Sequence, residues 1–112
     1  MDHEISEERG VKVMHLHGPI DVSRAMELRD LLGAQIDSAS ARVLVDLSDV
    51  SLIDSSGIGI LVTAHRRADG QGARFGLAGA AGTVARVFEM TRTNKLLSIY
   101  DTVEEGVAAL GG

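Results

Sequence analysis

Apolar positions recur along this chain with two periods. The run Val11-Lys12-Val13-Met14-His15-Leu16-His17 alternates, which places Met14 and Leu16 on one strand face and His15 and His17 on the other. Residues 3–7 precede it, and the two segments read as a hairpin across Glu8-Arg9-Gly10. Gly18-Pro19-Ile20-Asp21 is expected to break the strand. Asp21 then caps a helix over 22–32, with Ala25, Leu28, Leu31 and Leu32 on one face. Ala41 to Leu47 is apolar on both faces, as a central strand covered by helices would be. A turn over Ser48–Ser51 follows. Helical spacing resumes at Ile58 and runs to about Asp69, where Gly70-Gln71-Gly72 supplies a left-handed stop.

The second half repeats the alternation. Ala73 to Ala78 reads as a strand, Gly79 to Gly82 as a flexible turn, and Thr83 to Met90 as a helix with Val84, Val87 and Phe88 inward. Met90 beside Phe88 is expected to be core. Leu96 to Tyr100 is a short last strand. Asp101 or Thr102 caps a closing helix, Val103 to Leu110, and Gly111-Gly112 reads as a frayed end. The order ββαβαβαβα defines an α/β fold with a mixed central sheet of four to five strands and right-handed crossovers over its parallel part. The 112 residues suit a single domain, 1–112, with a core from about 3 to 110.

Composition narrows the function classes. The formal net charge of −5 disfavours nucleic acid and anionic lipid as partners. Aromatic residues are 3% of the chain, too few for a stacking platform. There is no cysteine, hence no disulfide framework and no thiolate metal site. The acidic start Met1-Asp2-His3-Glu4 is not a signal peptide, and no apolar run reaches membrane-spanning length, so a soluble cytoplasmic protein is expected. His15 and His17 have the spacing of a ligand pair on a strand. No third ligand stands nearby, so they read as a solvated face and no metal or cofactor is expected.

One stretch is not explained by packing pattern alone: Leu52-Ile53-Asp54-Ser55-Ser56-Gly57-Ile58-Gly59. It joins the apolar strand to the helix and puts Asp54, Ser55 and Ser56 at a helix N-terminus, where such residues cap free N–H groups. Gly57 and Gly59 then fall in the first turns, each costing up to about 1 kcal/mol relative to Ala. Bare backbone there serves either close packing on the sheet or close approach of a ligand or partner.

The run from Val45 through Asp54-Ser55-Ser56-Gly57-Ile58-Gly59 resembles the signature of the STAS domain, and within it the bacterial anti-sigma factor antagonists. The segment around Val84-Ala85-Arg86-Val87-Phe88-Glu89-Met90 is similar to a STAS helix as well. The resemblance implies that Ser55 is phosphorylated by an anti-sigma factor with serine kinase activity. It also implies that Asp21, Asp54, Ser56, Gly57, Ile58 and Gly59 bind that partner, and that a protein phosphatase resets Ser55. Family members commonly carry Gly-Glu-hydrophobic-Asp where this chain has Gly18-Pro19-Ile20-Asp21. Pro19 thus removes a carboxylate from the neighbourhood but leaves Asp21 in register. Asp21 is either a plain cap or part of an acidic pocket. Asp54 either holds the loop or helps position the partner's nucleotide and metal. The face of Ile58, Ile60 and Leu61 is a docking candidate, with burial the expected fate of Leu61 and Val62.

The expected role is therefore that of a non-enzymatic antagonist, monomeric or weakly dimeric, whose free hydroxyl permits docking and whose phosphate blocks it. A rival is a structural STAS subunit of a lipid-transport ABC complex or a stress-signalling scaffold. Another is a small-molecule-binding or hydrolytic α/β domain using Ser55, which requires a pocket with His15, His17 or His65 within hydrogen-bond reach of it. Ser55 lacks the Gly-x-Ser-x-Gly elbow, and the chain lacks a phosphate-binding Gly-x-x-x-x-Gly-Lys-Ser/Thr run.

Overall fold

A computed structural model of the chain describes residues 1–111. The elements run β1 (His3–Glu8), β2 (Val11–Ile20), α1 (Val22–Gln35), β3 (Arg42–Ile53), α2 (Ser55–Gln71), β4 (Arg74–Ala78), α3 (Gly82–Met90), a 3₁₀ turn (Thr93–Lys95), β5 (Ile99–Tyr100) and α4 (Val103–Leu110). The five strands form one sheet in sequential order. β1 is antiparallel to β2, and all other pairs are parallel. The mixed α/β architecture expected from the pattern is the one observed.

The hairpin closes through Arg9 and Gly10, whose φ angles of 54° and 77° are both left-handed, as a two-residue turn of matching twist requires. Crossovers of one hand between sequential parallel strands place their helices on one face of the sheet. Accordingly Leu28 and Leu32 of α1, Leu61 and Ala64 of α2, and Val84 and Phe88 of α3 share one core with Met14, Leu16, Val43, Val45 and Leu77. The opposite face is covered by α4, through Val107 and Leu110 on Val11, Val13 and Leu44. A Cβ on Gly106 would lie 2.7 Å from two Leu44 carbons, so bare backbone lets α4 seat there.

Several boundaries differ from expectation. Gly18-Pro19 does not end β2, and Ser48–Ser51 is not a turn. Both segments continue as strand, paired His17 to Asp49, Gly18 to Val50 and Ile20 to Ile53. The register slips around Leu16 and again around Pro19. Gly18 takes φ 83°, and the missing Pro19 donor falls at the second irregularity, where a strand proline is tolerated. The polar residues Ser48, Asp49 and Ser51 are exposed while Val50 and Ile53 are buried, so this half of β3 has one wet side. Leu31 and Val87, expected inward, are half-buried, and Met90 is 75% exposed rather than core. The last strand is only Ile99–Tyr100, because the chain first makes a 3₁₀ turn entered through Arg92 at φ 58°. Thr102, not Asp101, caps α4, accepting from the Glu105 amide at 3.1 Å. The frayed end expected at Gly111-Gly112 lies partly outside the described residues. Gly111 itself donates to the Val107 carbonyl at 2.8 Å.

Candidate functional site

The C-terminal ends of β2 and β3 lie side by side, and each feeds a helix through an aspartate cap. Asp21 caps α1, accepting from the Ser23 amide at 3.1 Å and the Ser23 hydroxyl at 2.6 Å, with the Arg24 guanidinium at 3.0 Å. The Ser23 hydroxyl, with Arg24 beside it, holds the Asp21 carboxyl below its ordinary value against some desolvation. Asp54 caps α2, accepting from the Gly57 amide at 3.1 Å. Such a cap stabilises a helix by about 0.5–2 kcal/mol. The two junctions are tied by the Asp54 amide, which donates to the Ile20 carbonyl at 3.2 Å.

Ser55 is the first residue of α2 and is exposed. Ser56 is half-buried beside it, and the amides of a first helical turn have no intrahelical acceptors. This leaves a hydroxyl in solvent at the positive end of a 17-residue helix, where an added anion is favoured by about 0.3–1 kcal/mol.

The two glycines have different physical causes. A Cβ on Gly57 would lie 2.6 Å from Ile20 Cγ2, 2.8 Å from Ile53 Cγ1 and 3.2 Å from the Ile20 carbonyl oxygen. Gly57 is therefore bare so that α2 can start directly over β2 and β3. A Cβ on Gly59 would meet nothing within 4 Å. Its absence is not explained by any contact within the fold. Ile58 and Leu61 are buried, at 6% and 0% exposure, so the apolar face expected to be open for docking is closed except at half-buried Ile60. Ile58 and Gly57 are both packed on the sheet. Of the expected partner-binding set, Asp21, Asp54, Ser56 and Gly59 keep exposed or half-exposed atoms around Ser55.

Sequence reasoning missed a polar cluster on the sheet face that carries α4, beside Val11, Val13 and Leu44. His15 bonds Asp46 through Nδ1 at 2.7 Å and Ser6 through Nε2 at 3.1 Å. His17 reaches Glu4 at 2.9 Å and Asp49 at 3.3 Å. These histidines are half-buried ties between three strands, not a solvated face, and both rings are engaged away from Ser55. Asp46 is the buried charged residue among the core positions, at 8% exposure. Burial pushes its carboxyl up, but the Ser48 hydroxyl and amide and His15 outweigh this and hold it below the ordinary value. The signal available beforehand was a lone carboxylate inside the apolar run Val43–Leu47, which demands partners. For His17, the bond to Glu4 raises the imidazole, with Asp2 and Asp49 adding to it against desolvation. Among the described residues, no group of three or more His, Asp or Glu is arranged to hold a metal ion, and no helix is long and apolar enough to cross a membrane.

Five sequential strands, helices α1 to α3 on one face, and an exposed serine after an aspartate cap define a class. The STAS domain model matches residues 3–106, and the chain belongs to the STAS domain family. Its relatives there include the anti-sigma-B factor antagonist of Bacillus subtilis, 30% identical over 84% of this chain and 85% of that protein. The crystal structure of an anti-sigma factor antagonist from Mycobacterium paratuberculosis superposes with a TM-score of 0.85 at 25% identity, covering 97% of this chain and 92% of that one. The Bacillus cell fate determinant SpoIIAA in its phosphorylated form superposes with a TM-score of 0.70 at 21% identity, covering 96% and 98%.

Proposed function

We propose that this protein is an anti-sigma factor antagonist in a partner-switching pathway of the cytoplasm, controlled by phosphorylation of Ser55. Unphosphorylated, it binds a serine-kinase anti-sigma factor and frees the sigma factor. The kinase transfers the γ-phosphoryl group of ATP to the Ser55 oxygen, the hydroxyl proton is lost, and ADP leaves. A phosphatase later hydrolyses the ester and restores docking. The protein is a binding partner and a substrate, not an enzyme.

The observation that carries this reading is the exposed Ser55 hydroxyl at the start of α2, next to a serine and a bare Gly59 that no internal contact explains. Phosphorylation adds roughly −1.5 to −2 charges at pH 7. The fold tolerates them at a helix N-terminus. A partner surface seated over the loop must strip water from that charge, and about 3–4 kcal/mol of such cost lowers affinity by two to three decades. The change acts on the interface and leaves α2 in place. The test is incubation with a serine-kinase anti-sigma factor of the same organism and ATP, followed by mass-spectrometric site mapping. One phosphate on Ser55, absent from Ser55→Ala, is expected. Phosphate elsewhere, or none, removes the proposal.

A further inference from the structure

The groove between α1 and α2 runs away from Ser55, and its two walls carry the same spacing. On α1, Val22, Met26, Arg29 and Gly33 fall at i, i+4, i+7 and i+11, one stripe of a helix. On α2, Ser56, Ile60, Thr63 and Arg67 fall at the same intervals. Both helices follow parallel strands, so the stripes run side by side in one direction. The two walls touch at the far end, where Arg67 Nη1 lies 3.0 Å from where a Cβ on Gly33 would sit. Arg29, Gly33, Ile60, Thr63 and Arg67 line the cleft there, over a floor that includes Leu32 and Ala64. Two turns back lie Met26 on α1 and Ile60 on α2, and three turns back Val22 and Ser56, at the Ser55 end.

That end is apolar and open. Val22 is 72% and Met26 58% exposed, large hydrophobic side chains in water on adjacent turns of one stripe. Gly59 lies on the neighbouring face of α2, where it gives up about 1 kcal/mol of helix propensity without any packing return. The other end is cationic. Arg67 lies across the groove, and Arg29 stands at its rim, largely in solvent, with its guanidinium 3.4 Å from the Asp30 carboxylate. In a chain of net charge −5 this is a local reversal of sign.

We propose that this groove docks an acidic amphipathic segment of the kinase partner. An apolar anchor sits on Val22, Met26 and Ile60 against bare Gly59, and carboxylates about 10 Å further along meet Arg29 and Arg67, seven residues at 1.5 Å rise. The inference rests on the reading that the partner docks beside Ser55. It also divides the work of the site. The phosphate stands at the apolar end, about 12 Å along the axis from the level of Thr63, beyond the Debye length of about 8 Å at physiological salt. It therefore opposes the anchor through desolvation, while the arginines attract the acidic end independently.

The test is equilibrium binding of the full chain to the same serine-kinase anti-sigma factor, at about 0.15 M and 0.5 M salt. Arg29→Glu with Arg67→Glu is expected to weaken binding at least tenfold at the lower salt, and the loss to shrink at the higher. Met26→Asp and the milder Met26→Gln are expected to weaken it at both, and Arg86→Glu on α3 to leave it unchanged. Thermal melts establish that each variant is folded. If wild type binds and Ser55→Asp does not, yet the groove variants bind as wild type, the groove is refuted and the Ser55 switch stands. If wild type does not bind, or Ser55→Asp binds equally, both are refuted.

Discussion

Replacing Gly59 and Gly57 by alanine separates a glycine kept for a partner from one kept for the fold. At Gly59 a methyl group meets no atom within 4 Å. The substitution therefore gains helix propensity, about 0.8–1 kcal/mol, and loses nothing. For a domain of this size that raises the melting temperature by about 4 °C. At Gly57 the same methyl lands 2.6 and 2.8 Å from two isoleucine carbons and 3.2 Å from the Ile20 carbonyl. The isoleucines are core, and the carbonyl is held in place by the Asp54 amide at 3.2 Å, so neither yields easily. Overpacking of this kind costs about 1–3 kcal/mol. The gain in propensity offsets part of it, leaving a net loss of up to about 2 kcal/mol. Urea titration of the three proteins in parallel gives the comparison, since an unchanged slope with a moved midpoint reads stability directly. Gly59→Ala is expected to be more stable than wild type yet to bind the kinase partner more weakly. A destabilised Gly59→Ala, or a stabilised Gly57→Ala, refutes the assignment of the two glycines.

Further outcomes follow from the caps, the core and the polar cluster. Asp54→Ala removes the α2 cap and is expected to cost about 0.5–2 kcal/mol in chemical denaturation, with Asp54→Asn recovering most of it. Leu61→Ala opens a cavity under α2, with an expected loss of about 2–5 kcal/mol by the same assay. The Asp46 carboxyl is held below its ordinary value of 3.8. Its contribution is thus present above about pH 4 and is lost as pH falls through the folded value; Asp46→Asn should flatten the acid limb of the stability curve. His17 is raised above 6.5. Its contribution is complete below that pH and is lost as pH rises through the folded value, so wild type and His17→Gln should differ at pH 6 and converge at pH 9.

What was legible in the sequence was what local chemistry encodes. The α2 boundaries followed from an aspartate cap before the helix and Gly72 at φ 77° after it. The central strand followed from a two-faced apolar run, and the STAS resemblance from eight consecutive residues. Register was not legible. The polar run Ser48–Ser51 has turn composition, but its pairing with His17 and Gly18 depends on residues about thirty positions away. His15 and His17 alternate with apolar neighbours as solvated residues do, and their partners come from the two flanking strands, Ser6 and Glu4 on β1 and Asp46 and Asp49 on β3. Met90 lies two residues past buried Phe88 and so on the opposite side of α3, facing solvent, and the chain leaves the helix at Thr91, whose hydroxyl donates to the Val87 carbonyl at 2.8 Å. The role of Gly57 required knowing that Ile20 lies beneath it. Gly59 became interpretable only by contrast, as the glycine for which the fold supplies no reason.

The central claim is that one added phosphate reverses an association without remodelling the domain. The most direct measurement is calorimetric titration of the purified kinase-like partner with two preparations of this protein, unmodified and stoichiometrically phosphorylated on Ser55, at one salt concentration. Affinity is expected to be lower by two to three decades for the phosphorylated form, with amide spectra unchanged beyond the first turn of α2. Equal affinities, or loss of binding accompanied by rearrangement of the whole helix, would contradict it.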